Sequence, residues 1–422
     1  MFRQVKEVLS GELTGKEVSL RGWVHRKREQ KEVDFIILRD SSGLIQLACK
    51  GLKEAKKSTV ESSIEIKGIV KEDKRAPEGY EIDVKDFKII GLAERFPIGK
   101  DLSEEFLRDV RHLWLRSQKL SYALKIRSKV FEAIHKFFGE KGYWEVQSPS
   151  IVTAAVEGGS TLFEVKFYDK KAYLTQSWQL YAEAMMYSLE KIYTIAPSFR
   201  AEKSRTIRHL SEYWHAEMEA AWMDMEGCMK IGEELVSFVA KFIAEHCKEE
   251  LKFFEVEPKD LLSVKTPFER ISYADAVKIL QKKGFKVKWG DDFGADEEKA
   301  LAEDFKQPFF VYGYPAEIKA FYHMPDSKDP KIVRCFDCLA PGVGEIIGGG
   351  QRIHDKDQLT KKIKKFGLDP KEYDWYIDLR KYGTVPHSGF GLGVERLIMW
   401  ITKIPHIMDT IPFPRTFYRY KP

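Results

Sequence analysis

The densest group of chemically useful side chains lies in residues 198–222, SFRAEKSRTIRHLSEYWHAEMEAAW. Arg200 and Glu202 are two residues apart, as are Glu217 and Glu219, and residues with this spacing share one face of a β-strand. We therefore predict two antiparallel strands joined by a basic loop. Such a hairpin offers arginine to phosphates or carboxylates, and glutamate to amines or metal ions. A solvated charged hairpin has the same pattern, so the rest of the chain must decide between the two interpretations.

The composition is that of an ordinary globular protein. The 422 residues are 32% charged and 43% hydrophobic, and a chain of this length is expected to form two or more domains. The net charge of +5, from 70 basic and 65 acidic residues, permits a polyanionic partner without requiring one.

The number of cysteines and the composition of the N-terminus indicate the cellular compartment. Five cysteines, an odd number, favour a reducing compartment over a disulfide framework. Cys335 and Cys338 form a C-x-x-C pair, but no second ligand pair completes a zinc site, so we interpret them as ordinary thiols. The N-terminus lacks a signal or transit composition and no apolar run has membrane-spanning length, so we expect a cytoplasmic protein that binds no membrane.

Residues 1–97 predict a small β-barrel. Five short segments rich in β-branched residues, VSLRGWV, DFIILRD, LIQLACK, SSIEIKGIV and YEIDVKDFKII, are separated by turn residues and suit an OB-type barrel. Such a barrel binds single-stranded nucleic acid through aromatic and basic side chains. The candidates are Arg26, Arg28, Phe35 and Gln46. The alternative that Phe35 belongs to the barrel core remains open at this point.

The rest of the chain predicts a mixed domain. Residues 98–120 are expected to form a hinge or linker, and residues 121–422 a domain that begins with a long helix and a strand ending at Pro149. A helical insertion is predicted at about 225–335. No P-loop is present, and GFGLGVERL opens a helix near the C-terminus rather than a βαβ unit, so it does not predict a dinucleotide site.

Three separated blocks in this domain resemble one enzyme family. The helix and strand ending at Pro149, the FRAE hairpin, and GLGVER at 391–396 resemble motifs 1, 2 and 3 of the class II aminoacyl-tRNA synthetases. With an N-terminal OB-fold barrel, the resemblance narrows to the subgroup that charges Asp, Asn or Lys, and it covers essentially the whole chain. It implies an α+β fold, an antiparallel catalytic sheet flanked by helices, and a homodimer formed through the motif 1 region.

The resemblance also implies an ATP site with Mg²⁺. Arg200 resembles the arginine that bridges the amino-acid carboxylate and the α-phosphate, Glu202 the acceptor for the adenine amino group, and Arg396 the arginine at the γ-phosphate; these three form the predicted catalytic group. Glu345 in GEIIGGGQR resembles the Mg²⁺ ligand. The other predicted ATP-binding residues are Arg208, His209, Leu210, Tyr213, Gly393, Val394 and Glu395.

The amino-acid pocket is predicted to resemble that of the asparaginyl enzymes of archaeal type. Aspartyl enzymes carry a lysine at the position of Ala182, and without it an aspartate carboxylate would be buried unpaired. Glu217 stands where aspartyl enzymes have Asp. The predicted pocket residues, besides Arg200, are Glu157, Gln176, Ser177, Gln179, Glu217, Gly348 and Arg352. Two departures concern details of this pocket: GQRI follows GEIIGG where the asparaginyl pattern has SQRE, and Trp178 is bulky.

The expected activity is therefore activation of L-asparagine with ATP and its transfer to tRNA(Asn). The resemblance implies that Phe35 stacks on an anticodon base and that Gln46 reads the central uridine. Two alternatives remain open: an aspartyl-tRNA synthetase, discriminating or not, and an ammonia-using asparagine synthetase. The barrel speaks against the second, because an enzyme that ignores tRNA has no use for it.

Overall fold

The computed structural model describes residues 1–100, 102–156, 161–204 and 206–422. The chain forms two compact units, residues 1–107 and 108–422. The division falls inside the predicted linker at 98–120, much of which is helical rather than irregular: it contains α3 (Glu104–Asp109) and α4 (Arg111–Trp114).

The first unit is a closed five-stranded barrel in the order β1-β2-β3-β5-β4. Its strands are β1 (Glu17–Arg28), β2 (Val33–Arg39), β3 (Leu44–Lys50), β4 (Ser63–Glu72) and β5 (Tyr80–Gly91), with short helices α1 (Val5–Leu9) and α2 (Lys53–Lys57). Alternate residues such as Leu20, Ile36 and Leu47 point into the barrel, as the period of a strand requires. The five predicted segments are therefore the five strands.

The second unit is built on an eight-stranded sheet in the order β12-β13-β14-β15-β16-β11-β10-β6. Only the two edge pairs, β12 with β13 and β10 with β6, are parallel. The strands are β6 (Trp144–Glu145), β10 (Lys191–Phe199), β11 (Glu212–Ala221), β12 (Arg270–Ser272), β13 (Phe309–Tyr312), β14 (Cys335–Ala340), β15 (Gly344–Gln351) and β16 (His387–Gly393). A small sheet, ordered β7-β9-β8, contains β7 (Ile151–Val152), β8 (Glu164–Phe167) and β9 (Lys170–Leu174).

Helices flank the large sheet. They are α5 (Gln118–Glu140), α6 (Gln179–Leu189), α7 (Met225–His246), α8 (Lys248–Phe253), α9 (Pro258–Leu262), α10 (Tyr273–Lys282), α11 (Ala295–Ala302), α12 (Lys356–Lys365), α13 (Asp374–Asp378) and α14 (Val394–Thr402). The predicted helix of motif 1 is α5. It begins at the N-cap Ser117, whose hydroxyl accepts from the Leu120 N–H, and it is followed by Gly142 with a φ of 74°. None of the helices in the described ranges is long and apolar enough to cross a membrane.

The segment 225–335 departs from the predicted helical insertion. Its first helix, α7, packs in the main core against the sheet, where Gly232 lies beneath Ile347 and Phe390. The segment also contributes β12 and β13, which extend the sheet at one edge. The start of this segment is therefore part of the domain core, and its later part belongs to the sheet. In both parts the apolar residues are buried against strands of the large sheet.

Candidate active site

The predicted hairpin is present and supplies one wall of the site. β10 and β11 pair antiparallel, with Thr194 opposite Glu217 and Ile192 opposite Glu219. Between the two carboxylates, Met218 points to the other face and joins the core under the helices. Because β11 lies between β10 and β16, both glutamates are held on an inner strand of the sheet.

Two adjoining cavities open on this face of the sheet. The larger has a volume of about 550 Å³ and the smaller about 70 Å³. Arg200, His215, Glu345 and Gly391 line both cavities. A ligand that fills both would therefore cross Arg200 at the boundary.

The smaller cavity collects nearly all of the predicted ATP-binding residues. Its lining includes Arg200, Glu202, Arg208, His209, Leu210, Tyr213, Glu345, Gly393, Glu395 and Arg396. Val394 is the exception, because its side chain does not line this cavity. It is the first residue of α14 and is fully buried in the core, because the helix turns that position toward the sheet.

The smaller cavity is lined by arginine side chains that form ion pairs with acidic residues. Arg396 Nη1 donates to the backbone oxygen of Glu345 at 2.8 Å and to its Oε2 at 3.0 Å. Arg208 Nη1 is paired with Glu298 of α11, a residue that the sequence gave no reason to select. Burial lowers the pKa of His209 to about 4, and Arg396 and Arg208 add to the effect. The imidazole is therefore neutral near pH 7, and the arginines carry the positive charge that a polyphosphate needs.

Glu395 has a different structural role from Arg396, the next residue in the sequence. Its Oε1 accepts from Arg127 Nη1 at 2.7 Å and its Oε2 from the Trp214 N–H at 3.0 Å. Both carboxylate oxygens are thus engaged by the protein. Glu395 connects α14 to α5 and β11, and in this way it fixes the start of α14, where Arg396 lies.

Glu345 has a second carboxylate beside it. A Cβ placed on Gly348 would lie 2.8 Å from Glu345 Oε1 and 3.5 Å from Asp337 Oδ1, so the two acids converge on this glycine. Burial, with a smaller contribution from Glu345, raises the pKa of Asp337 to about 6, although Lys319, 2.6 Å away, lowers it. Carboxylate oxygens that repel one another in this way form a donor set that suits Mg²⁺. Asp337 was not predicted.

The larger cavity collects most of the predicted amino-acid pocket. Its lining includes Ser177, Gln179, Arg200, Glu217, Gly348 and Arg352. Gln176 was predicted to line it and does not. That side chain is buried, with Nε2 donating to Thr161 Oγ1 at 2.6 Å. Glu157 lies outside the described residues.

Glu217 and Arg352 are each fixed by a neighbour. Glu217 accepts from Ser177 Oγ at 2.5 Å and from the Trp178 N–H at 2.9 Å. Arg352 donates from Nη2 to Glu219 at 3.0 Å and from Nε to both Glu219 oxygens at 3.2 and 3.3 Å. The pocket therefore contains a carboxylate, that of Glu217, and a guanidinium, that of Arg352, whose orientations are fixed by hydrogen bonds.

A second buried cluster, Glu183 with Arg380 and His387, adjoins this pair. One oxygen of Glu183, one of Glu219 and one nitrogen of His387 lie within 4.8 Å of one another, the spacing of a metal site. Arg352 and Arg380 already neutralise the two carboxylates, so we assign no metal there. Ala182, adjacent in sequence, is fully buried against Trp178 and Met186.

The predicted anticodon residues lie together on the outer face of the barrel. Arg28 pairs with Phe35 across β1 and β2, and Arg26 pairs with Ile37, which in turn lies opposite Gln46. Phe35 is half-buried and lies outside the barrel core, so the alternative that it is a core residue is wrong. Gln46 Nε2 donates to Glu81 Oε2 at 3.0 Å, which orients its amide.

Comparison with known proteins identifies the family. The model of tRNA synthetases class II (D, K and N) matches residues 103–417, and that of the OB-fold nucleic acid binding domain matches residues 18–90. The chain belongs to the class II tRNA synthetases of the D, K and N group.

Individual class II synthetases resemble this chain along its whole length. The asparagine–tRNA ligase of Thermococcus gammatolerans is 51% identical over 418 residues, which are 97% of each chain. The crystal structure of asparaginyl-tRNA synthetase from Pyrococcus horikoshii complexed with asparaginyl-adenylate has a TM-score of 0.97 and 48% identity, with complete coverage of both chains. An aspartyl tRNA synthetase from Entamoeba histolytica is more distant, with a TM-score of 0.86, 26% identity, and coverage of 100% of this chain and 93% of that one.

These findings confirm the predicted fold, the N-terminal OB barrel and the class II synthetase family. All five cysteines are free and buried, and burial raises the pKa of the Cys335 and Cys338 thiols, in agreement with their interpretation as ordinary thiols.

Proposed function

We propose that this synthetase is an asparagine–tRNA ligase, which activates L-asparagine with ATP and transfers it to tRNA(Asn). The charge balance of the larger cavity carries the choice of amino acid. Among the residues that the structure describes, six acidic side chains line it (Glu217, Glu219, Asp292, Glu317, Asp337 and Glu345), against three basic ones (Arg200, Lys319 and Arg352). A substrate with a second carboxylate would meet this excess of negative charge, whereas a neutral carboxamide would not.

The carboxamide has a matched donor and acceptor in this pocket. Two nitrogens of Arg352 are bound to Glu219, and among the described residues nothing binds its Nη1, which is left to donate to the side-chain oxygen of asparagine. Glu217, which lines the same cavity, accepts from the side-chain nitrogen. Aspartate has no such nitrogen and would oppose a carboxylate to Glu217. A site of this kind discriminates strongly, because the wrong ligand leaves buried polar groups unpaired.

The activation step follows from the arrangement of the two cavities. An oxygen of the asparagine carboxylate attacks the α-phosphorus, the bond from that phosphorus to the pyrophosphate oxygen breaks, and pyrophosphate leaves with the electron pair. Arg200, which lines both cavities, binds the carboxylate and the α-phosphate together, while Arg396 and Arg208 take the outer phosphates and Glu202 the adenine amino group. The arginines act by positioning the reactants and stabilising negative charge.

Mg²⁺ belongs to the same proposal. Glu345 would hold it, with Asp337 as a second oxygen ligand, and when bound it would neutralise charge on the phosphates. Desolvation raises the pKa of Glu345, but Arg396 and Lys319 outweigh it and lower the pKa to about 2, so the carboxylate is ionised and ready to bind a cation.

The remaining assignments concern partners and location. The barrel face with Arg26, Arg28, Phe35 and Gln46 binds the tRNA anticodon, and the motif 1 region forms a homodimer. Exposed Trp144 on the edge strand β6 supports the second assignment, because an unpaired apolar edge suits a second copy. Five free cysteines suit the cytoplasm.

Pyrophosphate exchange with separate amino acids tests the proposal. Exchange that depends on asparagine, with aspartate and lysine at least about 100-fold less effective in kcat/KM, is the expected result. Exchange with aspartate at an equal or higher rate would replace the proposal with an aspartyl or non-discriminating enzyme. Charging of purified tRNA(Asn), with tRNA(Asp) as control, separates a ligase from an ATP-dependent asparagine synthetase.

A further inference from the structure

A fully buried carboxylate, Glu183 of α6, lies one layer behind the larger cavity and does not line it. It accepts from Tyr376 Oη at 2.8 Å on both oxygens and from Gln179 Nε2 at 3.1 Å. Arg380 Nη2 is paired with its Oε2, and His387 Nε2 lies 2.9 Å from the same oxygen. So many donors on one buried carboxylate indicate a function beyond neutralising a single arginine, since a buried ion pair alone adds little stability over apolar packing.

Two of these partners form hydrogen bonds with the backbone at Arg352 and Ile353. His387 accepts the Arg352 N–H on its backbone oxygen at 2.9 Å, and Arg380 Nε donates to the backbone oxygen of the next residue, Ile353, at 3.0 Å. Glu183 holds the side chains of both His387 and Arg380. The backbone at Arg352 is thus clamped on both sides by groups that share one carboxylate, while Glu219 fixes the guanidinium.

A third partner of Glu183 is a side chain that belongs to the pocket itself. Gln179 lines the larger cavity, and because its Nε2 must face the carboxylate, its amide is fixed in one orientation. Removing the negative charge would free that amide to turn.

The ionisation of Glu183 agrees with this geometry. Burial raises the pKa of a carboxyl group, but Arg380 and His387 outweigh it and hold the pKa of Glu183 well below its usual range. The ring of His387 is held at both nitrogens, with Nε2 2.9 Å from Glu183 Oε2 and Nδ1 2.7 Å from the Val385 carbonyl oxygen.

We propose that Glu183 is a positioning residue for amino-acid selection, which holds Arg352 and Gln179 in the geometry that receives the substrate side chain. The proposal rests on the proposed function, since it concerns the asparagine half of that site. Glu183 does not touch the smaller cavity, so its effect is confined to the amino acid and leaves ATP binding unchanged.

Glu183→Gln in the full-length enzyme tests this, because glutamine keeps the shape but brings an NH₂ group among donors. We expect the KM for asparagine in pyrophosphate exchange to rise at least about tenfold, the loss of one charge-assisted hydrogen bond. The KM for ATP should stay within about twofold, and the preference for asparagine over aspartate should fall. A KM for asparagine and a preference both within about twofold of wild type would overturn the proposal.

A matched control separates positioning from stability. Glu233 of α7 is also buried and accepts from a backbone N–H, that of Phe268 at 2.8 Å, but it lies outside both cavities. Glu233→Gln should lower the melting temperature without moving the KM for asparagine, whereas a shift equal to that of Glu183→Gln would mean that general loosening is the cause. That result would also overturn the proposal.

A milder variant decides the matter if Glu183→Gln does not fold. Tyr376→Phe removes one donor from Glu183 and leaves its charge and Arg380 in place. A rise in the KM for asparagine of about threefold, with the KM for ATP unchanged, is expected because Glu183 loses only one of its several donors, and equal KM values would overturn the proposal. Failure of the proposed function itself is a separate outcome: the wild-type enzyme would then show no asparagine-dependent exchange.

Discussion

Arg200→Ala should abolish adenylate formation while the protein stays folded. The ion pair of Arg200 with Glu202 has an N–O distance of 3.8 Å, and the two side chains are 30% and 35% exposed. A pair this open to solvent contributes at most about 1 kcal/mol, so we expect the loss of this pair to lower the melting temperature by no more than about 4 °C.

The expected loss of activity is far larger than the loss of stability. In the proposed complex the guanidinium lies about 4 Å from the negative charge that develops at the α-phosphate, which corresponds to about 4 kcal/mol at an effective dielectric constant of about 20. Since each 1.36 kcal/mol is a factor of ten in rate, kcat/KM for exchange should fall about 1,000-fold. Arg200→Lys keeps the charge but not the planar fork, and should lose about 10- to 100-fold.

Two measurements on the same preparations test this reasoning. Asparagine-dependent pyrophosphate exchange reports adenylate formation, and filter binding of labelled tRNA(Asn) reports the barrel, which has its own core and should be unaffected. Exchange by Arg200→Ala within tenfold of wild type would refute the assignment of Arg200. A parallel loss of tRNA affinity would show that the variant is damaged beyond the site.

Three further changes probe other parts of the molecule. Phe35→Ala should reduce kcat/KM for tRNA charging about 5- to 150-fold, the worth of one stacked base, with no change in pyrophosphate exchange; unaltered charging would contradict the anticodon assignment. Gly389→Ala would place a Cβ 2.0 Å from Glu219 Oε2 and should cost more than about 3 kcal/mol in chemical denaturation, whereas Gly139→Ala, with nothing within 4 Å of the new Cβ, should be neutral or stabilising by about 0.5–1 kcal/mol. Burial lowers the pKa of His323 well below 6.5. As the pH falls below 6.5, His323 is therefore protonated in the unfolded chain but stays neutral in the folded protein, and the free energy of unfolding decreases. The unfolding free energy of His323→Gln should therefore fall less than that of wild type between pH 7 and about pH 5, and equal slopes would refute this.

Short-range patterns in the sequence predicted a large part of this molecule. The alternation of apolar residues predicted the five barrel strands, and the spacing of Glu217 and Glu219 predicted β11, because both depend on the period of a single strand. Arg200 and Glu202 were predicted to share a strand face, but they lie beyond the end of β10 at Phe199, in the segment that connects the two strands. The order of three motifs then predicted the family, and nearly all of the residues predicted to bind ATP line one cavity.

The residues that the sequence missed or that lie away from the cavities all depend on long-range packing. Val394 and Gln176 belong to the right motifs, but whether a side chain faces the cavity or the core is decided by neighbours far along the chain. Glu298 comes to the site from the segment that looked like an insertion, and Asp337 comes from β14, which follows that segment. Glu183 has no sequence signature at all, since its partners Arg380 and His387 are about 200 residues away.

The central position of β11 also has a consequence for how the chain reaches its active form. β11 pairs on one side with β10, its neighbour in sequence, and on the other with β16, so that Glu219 lies opposite Gly389. Synthesis on the ribosome delivers the N-terminus first, and domains fold as units. The barrel can close while the remainder is still being made, but the catalytic sheet cannot be completed until residue 393 has emerged. Until then the carboxylates of β11 lack the strand that covers them, so the nascent enzyme can hold its tRNA-binding module folded well before it is able to consume ATP.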